Sequence, residues 1–262
     1  MVTTGVSASY ISHPLSVHLV SLAPVLGKRS RSSDPRIPAK ESWHNFRRTW
    51  WGDPQGHVAA LRNHTFPNRF LCVDHKDVTR SFNFWHDDLF VRQEYLLFAE
   101  RCRKAREHTR GLGCLILGQS GIGTLTRTPT SFLTYDYVSF FFIGKSLFLL
   151  FLLIDCLARQ EVVLFTDCSC NMYLFDTDIV WHYDPNGALP ETSRFFSLID
   201  APEGLVPISR AVTVNLHPKT FFVASLSPNP IRYKGIQKQP VFTWWMVPWT
   251  AQELFTLWVL HG

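Results

Sequence analysis

The sequence predicts an α/β protein built on a mostly parallel sheet of about five strands, flanked by helices and preceded by an irregular N-terminal extension. Two observations carry that expectation. Short apolar runs, rich in β-branched and aromatic residues and ending in polar or turn residues, recur at 114–117, 161–165, 194–200, 221–227 and 243–247. Segments of helical character stand before the first run and between the first and second, the alternation expected of parallel strands joined by crossovers. Composition sets the scale: 262 residues, 46% hydrophobic and 18% charged, suffice for one good core plus an extension.

Residues 1–40 are rich in Ser, Pro and Thr and read as a flexible leader, because such a composition buries too little surface to offset the entropy of ordering. Residues 41–86 are dense in aromatics, including Trp43, Trp50, Phe82 and Trp85, and carry five histidines: His44, His57, His64, His75 and His86. None of these histidines pair at helical spacing and no carboxylate cluster accompanies them, so the region reads as an irregular aromatic stretch and not as a metal site. Residues 87–262 form the principal predicted domain. It opens with the clearest helix of the chain, 91–109, where Val91, Tyr95, Leu96, Phe98 and Cys102 make an apolar stripe; Gly111 and Gly113 end it. A strand at 114–117 follows, then a helix from about Lys145 to Arg159, a strand at 161–165, and a hairpin across 171–183 that turns at Asp176-Thr177-Asp178. After strands at 194–200, 221–227 and 243–247, Thr250 and Glu253 form a capping box that opens a last helix.

The chemistry is expected at the end of the first of these strands. Cys114-Leu115-Ile116-Leu117 leads into Gly118-Gln119-Ser120-Gly121-Ile122-Gly123, a glycine-rich loop, but Thr124 stands where a phosphate-binding loop needs lysine. The missing pair, Lys145-Ser146, comes after a separate Gly144; without residues 124–144 the chain reads GQSGIGKS and runs into an apolar helix. In such a loop the glycines at 118, 121 and 123, with Ser120, turn backbone N–H groups toward phosphate oxygens at the positive end of a helix dipole. Lysine then reaches the phosphates and the serine hydroxyl ligates Mg2+. Lacking helical or strand periodicity, 124–144 is expected to be a retained in-frame intron of 21 codons, weighed against a genuine loop insertion. Codons GGT at Gly123 and ATA at Ile143 would permit the former.

A strand-end carboxylate is the second requirement. Asp200, closing Phe195-Phe196-Ser197-Leu198-Ile199, has the form that binds magnesium, although a strand-terminal Asp also serves as a turn former. Glu203 is the candidate for polarising an attacking water, and Ser225, Ser227 and Asn229 stand where a γ-phosphate sensor would.

Several other readings are less favoured on the same sequence. The apolar window 138–157 imitates a membrane span, but it contains Lys145 and Asp155, each costing about 2.5 to 3.5 kcal/mol at a helix centre. A net charge of +5 is mild and carries no clear nucleic-acid signal. Six cysteines without a C-x-x-C pair, and no secretory signal, point to an intracellular protein with reduced thiols; Cys168-x-Cys170 near His182 is too sparse for a metal site.

The split loop, the strand ending in Asp200-Ala201-Pro202, the run Ser227-Pro228-Asn229-Pro230 through Tyr233 to Lys238-Gln239, and Trp245 with Pro248-Trp249 and Glu253-Leu254 together resemble the P-loop NTPase module of Crinkler and retrotransposon-hot-spot-like proteins. The resemblance covers 87–260. It implies an ATP-binding module related to AAA+ and STAND ATPases, with Gly118, Gly121, Gly123, Lys145 and Ser146 on phosphate and Asp200 on magnesium. Two departures are the split loop and the helical lid, expected to be missing after Gly262. The expected function is therefore an ATP- and Mg2+-binding module impaired by its split loop. The alternatives are a non-catalytic interaction or pseudo-NTPase fragment and, less favoured, a single-pass membrane protein.

Overall fold

A computed structural model describes residues 37–61, 63–64, 69–82, 88–108, 113–118, 144–183, 195–201, 220–226, 240–253 and 255–256, all within one compact unit, Asp34–Gly262. Its centre is a sheet of eight strands. In chain order these are β1 (Ile37–Pro38), β4 (Gly113–Leu117), β5 (Val163–Thr166), β6 (Met172–Phe175), β7 (Val180–His182), β8 (Phe195–Asp200), β9 (Thr220–Leu226) and β10 (Val241–Trp245). β2 (Phe70–Cys72) and β3 (Asp88–Phe90) form a separate antiparallel pair.

The spatial order across the large sheet is β1-β7-β6-β5-β8-β9-β4-β10. Five strands, β5 through β10 in that order, pair in parallel, while β1, β7 and β6 extend the sheet antiparallel from β5. The expected five strands thus form the parallel half. The expected hairpin is β6 and β7, and it belongs to the same sheet. β4, β5, β8 and β9 are buried along their whole length, which explains their near-continuous apolar character.

Helix α5 (Gly144–Ala158) lies against this sheet with every residue from Leu147 to Leu157 buried. It is apolar on all sides because it is covered on all sides: β5, β8 and β9 touch it from the sheet, and α1 (Glu41–Trp50), α2 (His57–Leu61) and α4 (Gln93–His108) from elsewhere. Among the described residues no helix is long and apolar enough to cross a membrane.

Residues 41–86 are more regular than the sequence suggests. They hold α1, α2, α3 (Lys76–Thr79) and a short 3₁₀ turn, Arg80–Phe82. Trp43, Phe46 and Trp50 recur on one face of α1 and enter the core, where Trp43 and Phe82 meet Phe165 of β5 at ring separations of 5.8 and 4.6 Å. The supposed leader also contributes, since Ile37–Pro38 pairs with β7. In α4 the buried positions are Tyr95, Phe98, Ala99, Cys102 and Arg103; Val91 is buried ahead of the helix, and Leu97 stands 50% exposed. The capping box forms as expected, with Thr250 N–H donating to Glu253 Oε2 at 2.8 Å and Glu253 N–H to Thr250 Oγ1 at 3.2 Å.

Candidate functional site

Several predicted site residues meet at the carboxyl edge of the parallel strands, on the face that carries α5. Side chains alternate along a strand. Cys114 and Ile116 of β4, Phe196 and Leu198 of β8, and Phe221 and Val223 of β9 all point into the core shared with α5. The next positions on that face are Gly118, Asp200 and Ser225. Register aligns them further, because Asp200 pairs directly with Ser225.

Lys145 and Ser146 reach this edge from the first turn of α5. Ser146 Oγ donates to Asp200 Oδ1 at 3.0 Å, and Lys145 Nζ donates to the Gly118 carbonyl at 3.2 Å. Although 27 residues separate Gly118 from Lys145 in sequence, the strand end and the helix start are spatial neighbours. Tyr95 Oη donates to Gly144 O at 2.7 Å and Met246 N–H to Leu117 O at 2.6 Å, so α4 and the segment after β10 brace both sides of the break. Glycine at 118 has a local reason: a Cβ there would stand 3.2 Å from Met246 Cβ.

Asp200 is 4% exposed. Burial pushes its carboxyl up to about 6; the Ser146 hydroxyl opposes that rise, the Asp167 charge adds to it, and Lys145 and Ser225 oppose it. A buried carboxylate poised near neutrality beside a hydroxyl and an ammonium is an arrangement suited to a hard cation and an anion. Ser146 and Asp200 fit magnesium, which takes few protein oxygens and completes its shell with water and phosphate. Among the described residues no group of three or more His, Cys, Asp or Glu gathers in the manner of an all-protein metal cage.

Of the predicted site residues, the structure brings together Gly118, Lys145, Ser146, Asp200 and Ser225. Ser120, Gly121, Gly123, Glu203, Ser227 and Asn229 lie outside the described residues, as does most of 124–144. Sequence reasoning passed over Asp167, 5% exposed, which follows β5 and stands beside Asp200. The signal was present: Val162-Val163-Leu164-Phe165-Thr166-Asp167 is an apolar strand ending in a carboxylate, the form that singled out Asp200.

Two clefts, of about 250 and 500 Å³, lie at the other end of α5, where both are lined by Val58, Asp155 and Arg159. From Ser146 to Asp155 the helix rises about 13 Å, so these clefts are separate from the polar edge.

No family model, curated protein or solved structure matches the chain. Fold and site by themselves define an α/β protein with a mostly parallel sheet and a hydroxyl, carboxylate and ammonium cluster at its carboxyl edge.

Proposed function

We propose that this protein is a P-loop-type nucleotide-binding module whose ligand is ATP with magnesium. The observation that carries this reading is the hydrogen bond from Ser146 to Asp200, with Lys145 folded onto Gly118, at the junction of a buried parallel strand and a buried helix. Helix starts at the carboxyl edge of a parallel sheet favour phosphate, through free N–H groups and the helix dipole. Lys145 supplies the ammonium for the phosphates. Ser146 and Asp200 would hold magnesium, which when bound neutralises charge on the phosphate oxygens. The resemblance to the Crinkler and retrotransposon-hot-spot-like module points the same way.

The glycine loop and the Lys-Ser pair are separated by 124–144, so backbone amides of the loop do not run directly into α5. We therefore expect the 262-residue chain to bind MgATP weakly or not at all, and a form joining Gly123 to Lys145 to bind at least about tenfold tighter, a gain of about 1.4 kcal/mol. Isothermal titration of both forms measures this. In the joined form Lys145→Ala abolishes binding. Retained fold without MgATP affinity in the joined form overturns the reading, and micromolar affinity in the full chain overturns the proposed impairment.

A further inference from the structure

Asp167 is a buried carboxylate at the site's edge of the sheet that the magnesium and phosphate assignments leave unused. It follows Thr166, which pairs with Ile199 across β5 and β8, so it stands at the same sheet edge as Asp200 and within electrostatic reach of it. Adjacent strands lie about 4.8 Å apart. Alternation from Phe165, which faces α5, assigns Asp167 to the face shared by Asp200 and Ser225.

Its orientation is fixed by its own turn. Oδ1 accepts the N–H groups of Ser169 and Asn171 at 2.9 and 2.8 Å, and Oδ2 accepts Asn171 Nδ2 at 2.9 Å. A carboxylate has about four acceptor positions, and these three bonds leave one on Oδ2.

We propose that Asp167 is the carboxylate that holds and deprotonates the water attacking the terminal phosphate of bound nucleotide; this rests on the nucleotide reading above. In the step, the water oxygen bonds to the terminal phosphorus as the bond from that phosphorus to the β–γ bridging oxygen breaks. The broken pair stays on the departing ADP oxygen, and the water proton passes to Asp167 Oδ2 and then to solvent. Phosphoryl transfer depends mainly on positioning and electrostatics, so a carboxylate held in place by three hydrogen bonds suits the task.

A bare Asp167→Asn puts two amide donors face to face at Asn171 and weakens the turn. The informative variant is Asp167→Asn with Asn171→Asp, which keeps both backbone bonds and reverses the side-chain bond. The full chain and the joined form, each with and without this double change, are compared by thermal melting, MgATP titration and phosphate release. Expected is an unchanged melting temperature and MgATP affinity, with hydrolysis reduced at least about 100-fold, the contribution typical of a positioned proton-transfer group. A double variant that hydrolyses at the parental rate overturns the assignment and leaves the nucleotide reading standing, all the more if Glu203→Gln alone abolishes hydrolysis. Absence of MgATP binding in both parental forms overturns the nucleotide reading, and the role of Asp167 falls with it.

Discussion

At the scale of single residues, Asp200 links the site to stability. Its carboxyl titrates near 6 in the fold against about 3.9 in an unfolded chain, so the fold prefers it neutral. That preference stabilises fully below pH 4 and is lost as pH rises through 6, leaving an ionised, buried group at neutrality. Two units correspond to about 3 kcal/mol as an upper value. Asp200→Asn, whose Oδ1 can still accept from Ser146, is expected to gain stability over the parent at pH 7.5 and to lose that advantage at pH 4, read from urea unfolding at both values. On the proposed nucleotide reading, the same change in the form joining Gly123 to Lys145 should abolish MgATP affinity, read by isothermal titration, the usual opposition of stability and function. Gly113 offers a purely structural contrast. A Cβ there would meet the Phe222 carbonyl oxygen at 2.3 Å, and that oxygen belongs to the backbone of β9. Gly113→Ala should therefore cost about 2 to 3 kcal/mol or more, seen as a fall in the urea midpoint with unchanged slope.

At the scale of elements, α5 explains both the membrane-like hydropathy and its failure to span. Fifteen residues rise about 22 Å, short of a hydrocarbon core of about 30 Å. Its one buried charge, Asp155, is answered from α4: Arg103 Nη2 stands 2.6 Å from Asp155 Oδ2, with side-chain exposures of 8% and 5%. At that separation the pair combines charge attraction with a side-chain hydrogen bond, the stronger kind of polar contact. Burial alone would lower the basicity of Arg103, and the Asp155 charge reverses the effect. Asp155→Ala leaves the buried guanidinium only its 3.8 Å contact with Glu161 and should cost about 3 kcal/mol, whereas Asp155→Leu with Arg103→Met should come closer to the parent. Chemical unfolding of the three proteins checks the order. The amphipathic spacing of α4 showed the helix but not this pair, because a buried arginine looks like an exposed one in sequence.

For the whole molecule, the site depends on segments far apart in the chain meeting at one edge. Arg92, 4% exposed, ties the C-terminal segment to the start of α4: its guanidinium donates to Glu253 Oε1 at 2.9 Å and the Val247 carbonyl at 3.0 Å, forms an ion pair with Glu94 Oε2 at 2.9 Å, and lies over the Trp249 ring. Glu94 in turn accepts the Val247 N–H at 2.9 Å. Met246, next along, bonds the end of β4 and packs on Gly118 and Gly144. Arg92→Ala should release this brace, costing about 1 to 3 kcal/mol through the half-buried carboxylates left without their partner. Hydrogen exchange at the Met246 amide should accelerate before that of the β8 and β9 amides. Equal acceleration everywhere would mean that Arg92 supports the core in general and not this segment.

What the sequence determined by itself was local: the buried strands, the two halves of the glycine-lysine motif, the capping box at Thr250, and Asp200 as a strand-end carboxylate. These are written in periodicity, turn chemistry and short spacing, which need no knowledge of neighbours. Only the tertiary structure decided that Lys145 closes on Gly118, that Asp167 stands beside Asp200, that Arg103 meets Asp155, and that the aromatics of 41–50 and 82 are core. Each of these is a meeting of residues from different elements. Strand order, register and packing across the sheet set them, and no local propensity encodes which strand lies next to which.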